Sequence, residues 1–118
     1  MAGCLALDGN TSMLNNAIVL IDHEVRSIRL TLERHRHILE HPEMDGQLEH
    51  IRETVARPEV VIVTDSDETV RVYHRHYTHT PVTSEYLLVA VKIVEDDAFV
   101  LTAFFSSRQK KGKLVWRA

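Results

Sequence analysis

From Val60 to Ser107 the chain reads as four β-branched and aromatic runs, VVIVTD, VRVYHRHY, SEYLLVAVKIV and AFVLTAFFSS, separated by short polar turns. Links this short cannot hold a helical crossover, so successive strands are expected to pair antiparallel as a meander. Upstream the apolar spacing is helical. Thr31 is a plausible N-cap, with Leu32 opening a helix whose stripe is Leu32, His35 and Leu39, Ile38 lying at its edge. Pro42 disfavours helical geometry at His41, so this helix should stop there. Asp45 can cap a second helix with the stripe Leu48, Ile51 and Val55, which Pro58 ends. The expectation is a single α+β domain over residues 1–118, with two N-terminal helices packed on one face of a four-stranded antiparallel sheet. Residues 1–25 are weakly patterned and read as an N-terminal arm, in which AIVLID (Ala17 to Asp22) is either a short strand or a docked segment.

Strand alternation sorts the side chains by face. Leu87, Val89, Val91 and Ile93 share one parity, as do Phe99, Leu101, Ala103 and Phe105, and these are expected to meet the helices. Val70 and Val72 suggest the core parity of the second strand, which leaves Arg71, Tyr73, Arg75 and Tyr77 on the open face. Tyr86 and Lys92 would join them from the third strand, with Thr102, Phe104 and Ser106 from the fourth. Arginines, tyrosines, a lysine and hydroxyls on one face suit a phosphate backbone and stacked bases. An ordinary solvated sheet face accounts for the same pattern.

The net charge of −3 argues at first against a nucleic-acid partner. Its distribution does not. Residues 1–70 carry 6 basic and 13 acidic side chains, whereas residues 71–118 carry 8 basic and 4 acidic ones, so a polyanion would meet a locally cationic C-terminal part. Cys4, the single cysteine, cannot close an internal disulfide, which favours a reducing compartment. No signal peptide or membrane-spanning run is visible, so the expected location is cytoplasmic with no membrane partner.

Six of the eight histidines fall in two clusters, LERHRHILEHPEM and VYHRHYTHTP. The second offers His74, His76 and His79 as a zinc set, but without a cysteine or a fixed ligand spacing the signal is weak, and no metal site or cofactor is expected. In the first cluster His35 follows the apolar stripe and reads as a packing residue, while His37 and His41 point away from it.

HRHILEHPEM, IRETVARPEVVI, VYHR, LLVAVKIV and FVLTAFF, in that order, resemble the phage- and mobile-element-borne nucleases of the barnase–EndoU–colicin E5/D–RelE (BECR) fold. The likeness covers roughly residues 26–118 and is most specific at the helix end. It implies N-terminal helices before a four-stranded antiparallel sheet, and metal-independent RNA cleavage in toxins or in phage and conjugation effectors. It further implies a helix histidine, a basic side chain and a hydroxyl or tyrosine on the sheet. At matching positions these are His37 and His41, Tyr73 and Arg75, Lys92, and Thr102. His35 stands where the family pattern calls for an aromatic such as tryptophan.

Cleavage of this kind needs a base for the 2′-hydroxyl, an acid for the leaving 5′-oxygen and donors for the phosphorane, and it leaves 2′,3′-cyclic phosphate ends. His37 is the expected acid–base group, with His41 as partner or helix-end residue. Arg75 and Lys92 would clamp phosphate, Thr102 would donate to it, and Tyr73 would stack a base or move a proton. Arg71, Tyr77, Ser106 and Arg108 are the expected RNA contacts. RNA, with tRNA among the candidates, is the expected partner, together with an immunity or antitoxin protein. The alternatives are a non-catalytic RNA- or protein-binding module with a degenerate nuclease fold, and a histidine-rich zinc-binding protein.

Overall fold

The computed structural model describes residues 17–81 and 83–118. Strands β1 (Ala17–Ile21) and β2 (Ser27–Thr31) form an antiparallel hairpin, followed by α1 (Leu32–Ile38), a 3-10 turn (Pro42–Met44) and α2 (Leu48–Ala56). Strands β3 (Val60–Thr64), β4 (Val70–Thr80), β5 (Thr83–Val94), β6 (Asp97–Ser106) and β7 (Gly112–Arg117) complete the chain. AIVLI is therefore a strand, while residues 1–16, including Cys4, lie outside the described residues.

The expected meander β3 to β6 forms, but it is the middle of a larger sheet. Among the described residues the sheet has seven strands in the order β1-β2-β6-β5-β4-β3-β7, with β2 parallel to β6. The four-stranded, wholly antiparallel expectation is corrected on strand number and direction, and the two short helices are an insertion between β2 and β3 rather than an N-terminal layer. Arg29 fixes the parallel joint: its guanidinium bonds Asp97 at 2.7 and 3.2 Å and lies 5.7 Å from the Phe99 ring centre.

Helix α1 begins as expected, with the Thr31 hydroxyl accepting from the Arg34 N–H at 3.1 Å. Its phase differs. Ile38 is buried and Leu39 is 38% exposed, because the helix ends at Ile38 and Leu39 is already its C-cap. Helix α2 buries Ile51 and Val55 as expected, but Asp45 does not cap it. Gly46 between them sits at φ +77°, a left-handed conformation that breaks helical geometry, so α2 starts after it with Gln47 at the N-cap.

The main core lies between the helices and one sheet face, with Ile38, Met44, Ile51 and Val55 packed over Val61, Tyr73, Leu87, Val89 and Val91. This face assignment reverses the expectation for β4. Tyr73 pairs with Val89 and Arg75 with Leu87, and directly opposed residues point to the same side, so Tyr73, Arg75 and Tyr77 face the helices. Val72 instead joins Val60, Ile62 and Leu88 in a smaller cluster on the helix-free face. In β6 the expected parity fails at a register shift: Ala90 pairs with Thr102 but Val91 with Val100, so Leu101 is the extra residue of a β-bulge. Val100 thus enters the main core with Ala103, and Phe99 turns away from it.

Candidate nucleic-acid interface

The helix-free face is ordered by register. His76, Tyr86 and Ser106 form one row across β4, β5 and β6; His74, Leu88 and Phe104 form the next; Val72, Ala90 and Thr102 the third. Val70, Lys92 and Phe99 follow beyond the bulge. The link from β6 to β7 must pass three intervening strands, and residues 107–111 do so over this face. His74 holds them there: its Nε2 accepts the backbone N–H of Lys110 at 2.9 Å. That assigns the ring proton to Nδ1, which donates to the Val60 carbonyl at 3.3 Å. Burial pushes the His74 pKa down, against the pull of the Val60 and Val72 carbonyls, and so favours this neutral form.

The strap and the first two rows enclose an open cleft of about 400 Å³ lined by Leu88, Phe104, Ser106 and Arg108 to Lys111. Phe104 is 36% exposed, and Tyr86 packs edge-on to the His76 ring at 5.0 Å. The Ser106 hydroxyl accepts the Arg108 N–H at 3.2 Å and turns the chain out of β6. Arg108, Lys110, Lys111, Lys113 and Arg117 fall within ten residues, and residues 98–118 contain no acid to offset them. Among the described residues none of these five cations forms an ion pair, whereas Arg26, Arg29, Arg71, Arg75 and Lys92 all do.

The expected site residues are divided among three places. Ser106, Arg108, Thr102 and Lys92 belong to the helix-free side, but Lys92 is six residues from Tyr86 along β5, ~20 Å at strand spacing, and bonds Asp67 at 3.1 Å. Lys92 and Thr69 together hold the Asp67 carboxyl down at about 2, the Thr69 hydroxyl and N–H having the larger share. Arg71, Tyr73, Arg75 and Tyr77 belong to the helix side and are taken up there. Tyr73 is fully buried and its hydroxyl donates to Asp22 Oδ2 at 2.7 Å; burial, then that carboxylate, push its pKa far up. Arg75 donates to the Arg57 carbonyl at 2.7 Å, and Arg71 lies 3.8 Å from Glu24. Tyr77 donates to Glu53 at 2.8 Å under the His50 ring, and its hydroxyl is pushed up to about 12, chiefly by burial. So Arg75 and Lys92 lie on opposite faces and cannot clamp one phosphate.

His37 and His41 sit in the third place, the solvent-facing end of α1. His37 Nδ1 is 3.5 Å from Glu40, and His41 is the exposed N-cap of the 3-10 turn. The zinc alternative loses His74, whose two ring nitrogens both bond within the protein, and the His79 side chain lies outside the described residues. Among the described residues no group of three or more candidate ligands gathers. Lys110 and Lys111 were not among the expected contacts, although the run RQKKGK, four cations without an acid, carries the signal.

No helix among the described residues is long and apolar enough to cross a membrane. No protein-family model matches this chain, nor does any curated protein or solved structure.

Proposed function

We propose that the chain is an RNA-binding module that lays single-stranded RNA along the helix-free face beneath and beside the 107–111 strap. The observation that carries this is a set of cations, without an ion pair among the described residues, bordering an exposed aromatic in one cleft. Arg108, Lys110 and Lys111 would track the phosphates, and Phe104 would stack a base, an interaction worth about 1–3 kcal/mol. Tyr86 and His76 extend the platform by one row. An RNA ligand fits a cytoplasmic location.

The test is fluorescence anisotropy with a labelled oligouridine at several salt concentrations. Each phosphate contact contributes a slope of about −0.7 in log K against log salt for a single strand. Replacing Arg108, Lys110 and Lys111 by alanine should therefore flatten the slope by ~2, and Phe104→Ala should weaken binding while leaving the slope unchanged. An unchanged slope in the triple variant would remove the cleft from the interface.

Metal-independent RNA cleavage, in a toxin or mobile-element effector, is the second reading. It is favoured by one observation: His76 and Ser106 flank Tyr86 in one row, and the Ser106 hydroxyl accepts the Arg108 N–H. A histidine beside a hydroxyl and cations is a set that 2′-hydroxyl transesterification can use. Incubation with mixed RNAs in EDTA, with analysis of product ends, separates the two readings. Retention without cleavage supports the binding module, and 2′,3′-cyclic ends support the nuclease.

A further inference from the structure

We infer that the free edge of β7 is a docking strand for an acidic, extended segment of a partner protein, which would add an eighth strand to the sheet. Strand β7 closes the sheet order and, among the described residues, pairs only with β3, so the other side of its backbone presents N–H and C=O groups with no strand partner there over six residues, ~20 Å. Apart from Trp116, which packs against the main core, its side chains are exposed, with Leu114 at 47% and Val115 at 39%.

Charge selects the occupant. Lys113 opposes Val63 and so takes the helix side, whereas Arg117 opposes Val60 and takes the other side, next to Leu114 opposite Ile62. A complementary strand therefore needs an acid opposite Lys113 on one face, and an acid and an apolar residue opposite Arg117 and Leu114 on the other. A second copy of β7 is disfavoured. It would bring Lys113 and Arg117, and no acid, to an edge that already carries the same two cations. RNA suits the cations but not the backbone donors and acceptors on either side of the Val115 bulge, which another polypeptide strand matches.

The test uses the full chain and a blocked octapeptide built of valine and glutamate around the run Glu-Val-Val-Glu, which puts one acid on each face, followed by anisotropy and by amide exchange. The acidic peptide should bind at least about tenfold more tightly than its valine–lysine counterpart, and the β7 amides not bonded to β3 should gain protection. N-methylation of alternate peptide amides, which keeps every charge, should cost about tenfold or more. In the Lys113→Glu, Arg117→Glu double variant the preference should invert toward the lysine peptide. No binding of the acidic peptide, equal binding of the N-methylated form, or protection of the same β7 amides by oligouridine would each overturn the inference.

Discussion

Replacing Tyr73 by phenylalanine removes a single oxygen from the centre of the protein. The Tyr73 hydroxyl donates at 2.7 Å to Asp22, whose carboxylate also accepts the Arg26 and Glu24 N–H groups at 2.8 and 2.9 Å and the Arg26 guanidinium at 2.7 Å. Burial opposes the charged carboxylate, but these donors, Tyr73 first among them, outweigh it and lower the Asp22 pKa. A hydrogen bond to a charged group contributes about 1.5–3 kcal/mol, and phenylalanine keeps the ring, so Tyr73→Phe should cost about 2 kcal/mol. For a chain of 118 residues that is a fall in Tm of ~8 °C. Urea and thermal melts at pH 7 read the cost directly.

The same variant carries a pH signature. Because the folded pKa of Asp22 is depressed, its contribution is fully present above the unfolded value of ~3.9 and is lost as pH falls through the folded value. The gap between parent and Tyr73→Phe should therefore close on acidification below about pH 4. A tyrosine on an open face, as the alternation with Val70 and Val72 suggests, would make the substitution nearly neutral. A cost under ~0.5 kcal/mol at pH 7 would thus refute the assignment of this face of β4 to the core.

Four further outcomes follow from the geometry. Ile38→Ala should cost ~2–5 kcal/mol in a urea melt and Leu39→Ala under ~1, which checks the phase of α1. His37→Ala, at a side chain 53% exposed, should leave the melt within ~0.5 kcal/mol of the parent, while single-turnover RNA assays decide whether that helix end does chemistry. Replacing His76 by alanine should weaken oligouridine binding modestly under the binding reading and abolish cleavage under the nuclease reading. Protonation of His74, whose depressed pKa places its stabilising contribution above about 6.5 and its loss at lower pH, should free the Lys110 N–H. Amide exchange at Lys110, corrected for intrinsic rates, should accelerate between neutral and mildly acidic pH, and a constant corrected rate would count against the latch.

Where sequence was legible, local chemistry and long-range packing agreed. The Thr31 cap, the α2 stripe and the four central strands each follow from spacing that neighbouring elements then use. The outer strands are harder to read. The turn between β1 and β2 contains no glycine or asparagine; it is closed by the Asp22 carboxylate on the Glu24 and Arg26 N–H groups, with Val25 at φ +63°. The β7 sequence GKLVWR follows a cationic run and lacks the long apolar alternation of the central strands; its pairing with β3 makes it a strand.

The face assignments expose a different limit. Period-two alternation gives which side chains lie together within a strand, but not which of the two sets meets the helices, and β4 offers plausible apolar residues on both. Val72 on one side is matched by Tyr73 on the other, and cross-strand register breaks the tie by putting Tyr73 opposite Val89. The candidate site inherits that decision. With β4 in this orientation its arginines and tyrosines become internal ion-pair and hydrogen-bond partners, and the helix-free face is left with two histidines, aromatics and hydroxyls but almost no charge of its own. The cations arrive from outside the meander, on the link that β7 requires by pairing with β3 at the far side of the sheet, and a buried histidine holds that link in place. The connection that most disturbs the expected four-stranded fold is therefore also the one that brings positive charge to the face where RNA would bind.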